Sequence, residues 1–217
     1  MTTWSTPRYV LFDLDGTLVD SSGGILRCFG LTLNTLGYSA TPERLRALIG
    51  PPLWDSFASL GIPAEQVHEA VDIYRAHYAD VGVRDAVPYD GIPELLRNLR
   101  DRGVTLGVAT AKREDFAAIM LEHLGLAPYF EVTTGAVVEN RHMTKFAIMA
   151  NALERLGRPA MDDVWMVGDR KFDMEGANEH GCRAIGVTWG FGDATELTEH
   201  GATLVVHAPH EIAAAFR

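Results

Sequence analysis

Short apolar runs alternate with amphipathic helical segments along most of this chain. The apolar runs are Tyr9–Phe12, Val104–Thr110, Glu131–Thr134, Val164–Val167, Ala184–Val187 and Thr203–Val206. Apolar residues recur at helical spacing between most of them, in the segments Pro93–Arg102, Glu114–Leu124 and Phe146–Leu156. Strands that alternate with helices favour a parallel sheet that is covered on both faces. We therefore expect an α/β fold with a three-layer, Rossmann-like parallel sheet.

One long stretch after the first run has helical periodicity and no convincing strand. The predicted helices there are Ile25–Leu36, Pro42–Ile49, Leu53–Leu60 and Ala64–Tyr78. Two proline-containing breaks, Pro51-Pro52 and Gly61-Ile62-Pro63, divide these helices. The pattern predicts a small all-α domain over residues 21–83, inserted into an α/β domain of residues 1–20 and 84–217.

Charge and hydropathy exclude two classes of partner. The net charge is −10 and the chain has no basic run, which argues against polymeric nucleic acid because binding it requires neutralised phosphates. No apolar stretch approaches the length of a membrane span, and Met1–Pro7 lacks the pattern of a signal peptide. With only two cysteines, expected as thiols, the chain is predicted to be cytoplasmic.

Two carboxylates follow the first apolar run directly. Asp13 and Asp15 precede Gly16, and strand alternation would place them on one side, separated by an outward-pointing Leu14. Adjacent acids repel unless a cation neutralises them or one holds a proton. Such a pair suits a carboxylate that attacks and a second that moves protons. An ordinary Asp-Gly turn is the competing interpretation, whereas an EF-hand loop fails because Leu18 occupies its glycine position.

Three further elements stand where strands or helices are predicted to end or begin. Thr110 ends the second run, Lys145 begins a helix, and Gly168-Asp169-Arg170-Lys171-Phe172-Asp173 follows the fourth run. Each has an ordinary structural explanation: a threonine at a strand end, a surface lysine, or acids that cap a helix. Ligands bind at the carboxyl ends of parallel strands, so these elements together predict one site.

In this order the motifs resemble the haloacid dehalogenase-like hydrolase superfamily, over nearly the whole chain. The motifs are Asp-x-Asp-Gly-Thr, a later Thr, a later Lys and Gly-Asp-x-x-x-Asp, and the helical insertion resembles the small cap of that superfamily. Three segments resemble its phosphoglycolate phosphatase and 5′-nucleotidase branch: Gly50-Pro51-Pro52-Leu53, Tyr89-Asp90-Gly91-Ile92 and Gly186–Gly192.

The resemblance implies a role for each site residue. Asp13 would be the nucleophile, and Asp15 would protonate the leaving alcohol and then deprotonate water. The Mg²⁺ ligands would be the Asp13 carboxylate, the Asp15 backbone carbonyl, Asp169 and, directly or through a water, Asp173. The phosphate-binding residues would be Thr17, Thr110, Ala111 and Lys145. Lys145 is followed by Phe146 where many members have proline, so Lys112 is a rival for its role.

These roles predict a Mg²⁺-dependent phosphatase that acts on a small phosphorylated metabolite, such as phosphoglycolate or a nucleoside monophosphate. Asp15 argues against a dehalogenase, because halide leaves without a proton. Residues 21–83 contain no lysine, which argues against a phosphonate hydrolase that forms a Schiff base. A phosphosugar mutase and a non-catalytic binding protein of the same fold stay as alternatives. The protein is expected to be a monomer or a homodimer.

Overall fold

The computed structural model describes residues 4–49, 53–137 and 143–217. The chain forms two compact units, one of Met1–Asp20 with Val87–Arg217 and the other of Ser21–Ala86. Residues 1–3 of the Met1–Pro7 segment, and Gly50, Pro51 and Pro52 of the family-like segment, lie outside the described residues.

The first unit is built on a parallel six-stranded sheet. Its strands are β1 (Tyr9–Phe12), β4 (Thr105–Arg113), β5 (Val132–Ala136), β6 (Val164–Gly168), β7 (Arg183–Val187) and β8 (Leu204–Val206), and β2 (Val19–Asp20) pairs separately with β3 (Val87–Pro88). The sheet order is β5-β4-β1-β6-β7-β8, with parallel pairing throughout. The prediction of an α/β fold with a parallel sheet is confirmed.

The strand register brings the segments that follow β1 and β6 to the same edge of the sheet. Phe12, the last residue of β1, is paired with Val108 on one side and with Val167 on the other. Asp13, which follows β1, therefore lies beside Gly168 at the end of β6 and beside the second half of β4. This edge is the carboxyl end of the parallel strands, where open α/β sheets bind ligands.

Both faces of the sheet are covered, as its apolar strands require. On one face, Leu11 and Met166 pack into a core with apolar residues of α7 (Lys145–Arg155) and α8 (Lys171–His180). The alternate residues Val10 and Phe12 face the other way and are also fully buried. Helices also flank the sheet as α5 (Ile92–Asp101), α6 (Glu114–His123), α9 (Ala194–Glu199) and α10 (Pro209–Ala215).

Local sequence signals explain where several helices begin. Thr144 precedes α7, and its hydroxyl accepts a hydrogen bond from the Ala147 backbone N–H at 3.2 Å, as an N-cap does. Gly91 precedes α5 with φ +87°, a conformation that favours glycine, and Pro93 occupies the first turn of that helix. The N-cap fixes Lys145 as the first residue of α7.

The second unit is helical. Its helices are α1 (Ser22–Thr35), α2 (Pro42–Arg46), α3 (Leu53–Ser59) and α4 (Ala64–Asp80), followed by a 3₁₀ turn at Gly82–Arg84. The rings of Phe29, Phe57 and Tyr74 pack together, with Tyr78 stacked on Tyr74. This unit ends at Ala86 rather than at residue 83, because the Gly24 backbone N–H donates to the Asp85 carbonyl.

Three local predictions were wrong. Leu14 does not point outward but is fully buried, because β1 ends at Phe12 and the chain has already turned. β4 continues past Thr110 to Arg113 after an irregularity in its pairing. α2 ends at Arg46 rather than at Ile49, since Leu48 and Ile49 donate to the carbonyls three residues before them.

Within the described ranges, none of the helices has the length and hydropathy to cross a membrane.

Truncation of the buried face of α5 tests the sheet packing. Leu96 is fully buried and Arg97 is exposed on the same helix. Leu96→Ala should lower the free energy of unfolding by about 2–5 kcal/mol, because it leaves a cavity, whereas Arg97→Ala should change it by less than about 0.5 kcal/mol. Urea unfolding measures both variants, and equal losses would contradict the packing of this helix.

Candidate active site

Lys145 is a buried lysine whose ammonium group contacts three oxygen atoms. It is 8% exposed, and its Nζ lies 3.0 Å from Asp13 Oδ1 and 2.7 Å from Asp173 Oδ1. It also donates a hydrogen bond of 2.8 Å to the Ala109 backbone carbonyl. The ammonium group thus joins the end of β1, the second half of β4 and the first turn of α8.

The surrounding carboxylates keep this lysine charged despite its burial. Burial by itself lowers the pKa of Lys145, but the negative charges of Asp13 and Asp173 outweigh that effect. The pKa of Lys145 therefore lies above its ordinary value. An ammonium that stays protonated can hold a carboxylate or a phosphate oxygen, but it cannot act as a base.

Three carboxylates gather beside this lysine. Asp13, Asp169 and Asp173 each offer one oxygen, and the three atoms lie within 4.8 Å of one another. Burial raises the pKa of Asp169 to about 8, and the charges of Asp13 and Asp173 add to the rise. Burial also raises the pKa of Asp173, although Lys145 opposes this effect. One lysine compensates only part of the negative charge of three acids.

The uncompensated charge and the donor set fit a divalent cation. Mg²⁺ prefers carboxylate oxygens, usually keeps several waters and needs only one or two carboxylates. A cation among Asp13, Asp169 and Asp173 would balance the charge that Lys145 leaves. The residues therefore fit the metal that the resemblance implies.

Asp173 is held by the start of α8. Arg170 precedes that helix, and its backbone N–H donates to Asp173 Oδ2 at 3.1 Å. Glu196 of α9 accepts from the Arg170 side chain at 3.0 Å and from the Lys171 backbone N–H at 2.9 Å. These bonds hold the turn that carries Asp169 and Asp173, and no sequence motif indicates the part played by Glu196.

Asp15 lies in the turn after β1 and pairs with a second lysine. Its Oδ2 is 2.9 Å from Lys112 Nζ, and the two side chains are 23% and 8% exposed respectively. Gly16 has φ +82°, and a Cβ there would lie 2.3 Å from Asp169 Oδ2, so only glycine fits this turn. Among the described residues, the carboxylate of Asp15 is not part of the group that Asp13 forms.

Thr110 and Ala111 lie in the irregular part of β4. Ala109 and Arg113 are paired with residues of β5 only two positions apart, so residues 110–112 bulge from the ladder. The Thr110 hydroxyl accepts a hydrogen bond from the Lys112 backbone N–H at 3.2 Å, and its own proton is not used in that bond. Lys112, which lies in this bulge, contacts Asp15.

Asp169 is fully buried, and both of its oxygens accept hydrogen bonds from the protein. Thr17 donates its hydroxyl to Oδ1 at 3.2 Å, and the Phe191 backbone N–H donates to Oδ2 at 2.7 Å. Trp189 in turn donates its indole N–H to the Thr17 carbonyl at 3.0 Å. The family-like segment Gly186–Gly192 was the only sequence signal for Trp189 and Phe191, and it indicated no role for them.

The residues singled out in the sequence therefore separate into two groups. The structure brings Asp13, Asp169, Asp173 and Lys145 together, while Asp15 lies beside Lys112. Thr17 directs its one hydroxyl proton to Asp169, which leaves it no side-chain donor for a phosphate. The two candidate lysines contact different acids, since Lys145 contacts Asp13 and Lys112 contacts Asp15.

Comparison with known proteins connects this geometry to a family. The profile of the family described as haloacid dehalogenase-like hydrolase matches residues 10–187. The tyrosine-protein kinase PtkA of Mycobacterium tuberculosis is 40% identical over 94% of this chain and 69% of its own length. A 5′-nucleotidase of Pseudomonas aeruginosa is 37% identical over 89% of this chain and 88% of its own. A haloacid dehalogenase-like family hydrolase from Streptococcus pneumoniae has a TM-score of 0.89 and 35% identity, covering 98% of this chain and 99% of its own.

Replacement of Lys145 should destabilise the protein when no divalent cation is present. Lys145→Met leaves buried carboxylates without their cation, so the free energy of unfolding should fall by about 3–5 kcal/mol. Urea unfolding in EDTA at pH 8 measures the loss, and Mg²⁺ should restore part of it. Lys171→Met, at a half-buried lysine, is the matched control and should change stability by less than about 1 kcal/mol. Equal stability of the two variants would contradict the role of Lys145.

Asp169→Asn should stabilise the metal-free protein increasingly as the pH rises. An unfolded aspartate loses its proton near pH 3.8, whereas folded Asp169 keeps it to about pH 8. Between these values the folded state holds the extra proton, so the contribution of Asp169 to stability falls with rising pH. Thermal unfolding in EDTA should give similar midpoints for the variant and the wild type at pH 5, and a higher midpoint for the variant at pH 8.5.

The control for this titration is Asp162→Asn, at an exposed aspartate, whose difference from the wild type should not grow with pH. A difference for Asp169→Asn that shrinks as the pH rises would show that burial does not disfavour the charged form of Asp169.

Proposed function

Because the chain belongs to the haloacid dehalogenase-like hydrolase family and is a phosphatase, we propose that it hydrolyses a small phosphomonoester with Mg²⁺ through an aspartyl-phosphate on Asp13. The observation that carries this proposal is the set of contacts around Lys145, which holds Asp13 and Asp173 together at the carboxyl edge of the sheet. A carboxylate held in place at that edge is suited to attack a phosphorus atom.

The proposed Mg²⁺ ligands are the Asp13 carboxylate, the Asp15 backbone carbonyl, Asp169 and, directly or through a water, Asp173. When bound, the ion would balance the negative charge of the acids and of the phosphoryl oxygens. Such electrostatic stabilisation is a main part of catalysis in phosphoryl transfer. The orientation of Asp169 is constrained on both sides, since each of its oxygens accepts a hydrogen bond from the protein.

Asp13 and Asp15 have different roles in each of the two chemical steps. In the first, an Asp13 oxygen forms a bond to phosphorus while the ester bond breaks, and Asp15 gives its proton to the leaving alkoxide. In the second, Asp15 takes a proton from water, the water oxygen bonds to phosphorus, and the bond from Asp13 to phosphorus breaks. Lys112 Nζ lies 2.9 Å from Asp15 Oδ2, so its positive charge would face the carboxylate that Asp15 becomes between the two steps.

The substrate phosphate would be held by Thr110, the backbone of Ala111 and Lys145. Thr110 has a hydroxyl proton that its bond to Lys112 does not use. We assign Thr17 to the orientation of Asp169 rather than to the phosphate, because its hydroxyl is directed there. The substrate class we propose is a small phosphorylated metabolite, such as phosphoglycolate or the nucleoside monophosphate that a 5′-nucleotidase takes. We further propose a cytoplasmic monomer or homodimer.

The similarity to PtkA supports a second candidate function. PtkA is 40% identical to this chain. Its name implies that it transfers a phosphoryl group to a protein tyrosine. The phosphatase is favoured because Asp15 can activate a water, to which the phosphoryl group on Asp13 is then transferred directly. Incubation with labelled ATP and a tyrosine-containing peptide separates the two candidates, since only the kinase labels tyrosine.

Replacement of the nucleophile tests the proposal. Asp13→Asn should reduce Mg²⁺-dependent hydrolysis of p-nitrophenyl phosphate to the background rate, because an amide oxygen is a poor nucleophile. The matched control Asp101→Asn, at an exposed aspartate, should keep full activity. In the wild type, borohydride added during turnover should reduce the acyl phosphate, so that mass spectrometry finds homoserine at position 13.

The remaining alternatives give distinct results in the same assays. A phosphosugar mutase would form glucose 6-phosphate from β-glucose 1-phosphate. A binding protein without catalysis would show no turnover of any phosphomonoester with Mg²⁺ present. Activity of Asp13→Asn equal to that of the wild type would contradict the proposed nucleophile.

A further inference from the structure

Trp189 connects the segment after β7 to the turn after β1. Its indole N–H donates to the Thr17 carbonyl at 3.0 Å, although 172 residues separate the two in sequence. Two residues later, the Phe191 backbone N–H donates to Asp169 Oδ2 at 2.7 Å. Residues 189–192, here called the strap, therefore bind both Asp169 and the turn that carries Thr17.

The strap lies against Asp169 without room for side chains at its glycines. A Cβ at Gly190 would be 2.2 Å from the Gly16 carbonyl oxygen and 2.4 Å from Asp169 Oδ2. A Cβ at Gly192 would be 2.0 Å from the Asp169 carbonyl oxygen. The atoms that these Cβ atoms would meet belong to the backbone or to the Asp169 carboxylate. They could not move aside without displacing Asp169. The close approach is what lets a backbone N–H reach Asp169.

The two hydrogen bonds to Asp169 determine how its carboxylate is presented. Thr17 binds one oxygen and Phe191 the other, so the plane of the carboxylate is fixed from both sides. Each carboxylate oxygen has two acceptor sites, and one on each remains for another partner. Trp189 supports both bonds, because it holds the backbone of Thr17 and begins the strap that carries Phe191.

We propose that Trp189 is a positioning residue of the divalent-cation site, which fixes the orientation of Asp169 through Thr17 and the strap. This inference rests on the proposed function, because it assumes that Asp169 binds the ion. Partners behind the residues that bind a metal orient them, and their loss typically weakens metal binding by about 10–100-fold. Trp189 does not touch the substrate in this role and takes no part in proton transfer.

The test compares metal binding with catalysis. Trp189→Phe keeps an aromatic ring and removes the N–H that reaches Thr17. Calorimetric titration with Mg²⁺ and no substrate should show about tenfold weaker binding than in the wild type. The Mg²⁺ concentration for half-maximal hydrolysis of p-nitrophenyl phosphate should rise by a similar factor, while kcat at saturating Mg²⁺ stays within about twofold of the wild type, because the excess ion compensates for weak binding.

Two further variants separate positioning from general stability. Trp4→Phe makes the same change in the aromatic cluster with Trp165 and Phe216, and it should leave Mg²⁺ binding unchanged even if thermal unfolding occurs earlier. Gly190→Ala displaces the strap and should weaken Mg²⁺ binding at least as much as Trp189→Phe. Circular dichroism and thermal unfolding in EDTA check that each variant is folded.

The outcomes distinguish this inference from the proposed function. Wild-type affinity for Mg²⁺ in a folded Trp189→Phe variant would overturn the role of Trp189 and leave the phosphatase mechanism intact. A loss of kcat that saturating Mg²⁺ does not restore would also overturn it. Failure of the wild type to bind Mg²⁺ would overturn the proposed metal site itself, and the role of Trp189 with it.

Discussion

The ammonium group of Lys145 is the interaction on which this site depends. It contacts two acids and the Ala109 carbonyl from inside the protein, and so connects α7 to the end of β1, to β4 and to the first turn of α8. Without it, Asp13, Asp169 and Asp173 would repel one another in surroundings of low polarity. With it, the acids stay close together, but only part of their negative charge is balanced. That residual negative charge is what makes this edge of the sheet suited to a divalent cation and to the phosphate that the cation would help to hold.

A second layer of contacts gives each acid a different environment. Asp169 is oriented by Thr17 and the Phe191 backbone, and it is fully buried. Asp15 stands partly exposed beside Lys112. Carboxylates with similar intrinsic chemistry can thereby serve different purposes, since burial and neighbouring charge set whether an acid binds a cation, attacks or moves a proton.

Much of the fold was accessible from the sequence because its signals are local. An apolar run followed by a turn predicts β1, and periodic leucines predict α5 within one residue at each end. Leu14 was assigned the wrong direction because strand alternation was extended past Phe12, where the chain already turns. The bulge in β4 and the bonds of Trp189 and Glu196 depend on residues far apart in the chain, so periodicity and local motifs carry no information about them.

The most direct test of the metal site is a crystal structure of the protein soaked with Mn²⁺, an ion that takes the same oxygen ligands as Mg²⁺ and scatters anomalously. A single strong anomalous peak should lie within about 2.2 Å of oxygen atoms of Asp13 and Asp169, with Lys145 still in contact with Asp13. A fully occupied peak elsewhere in the molecule, with these two carboxylates free of the ion, would contradict the site.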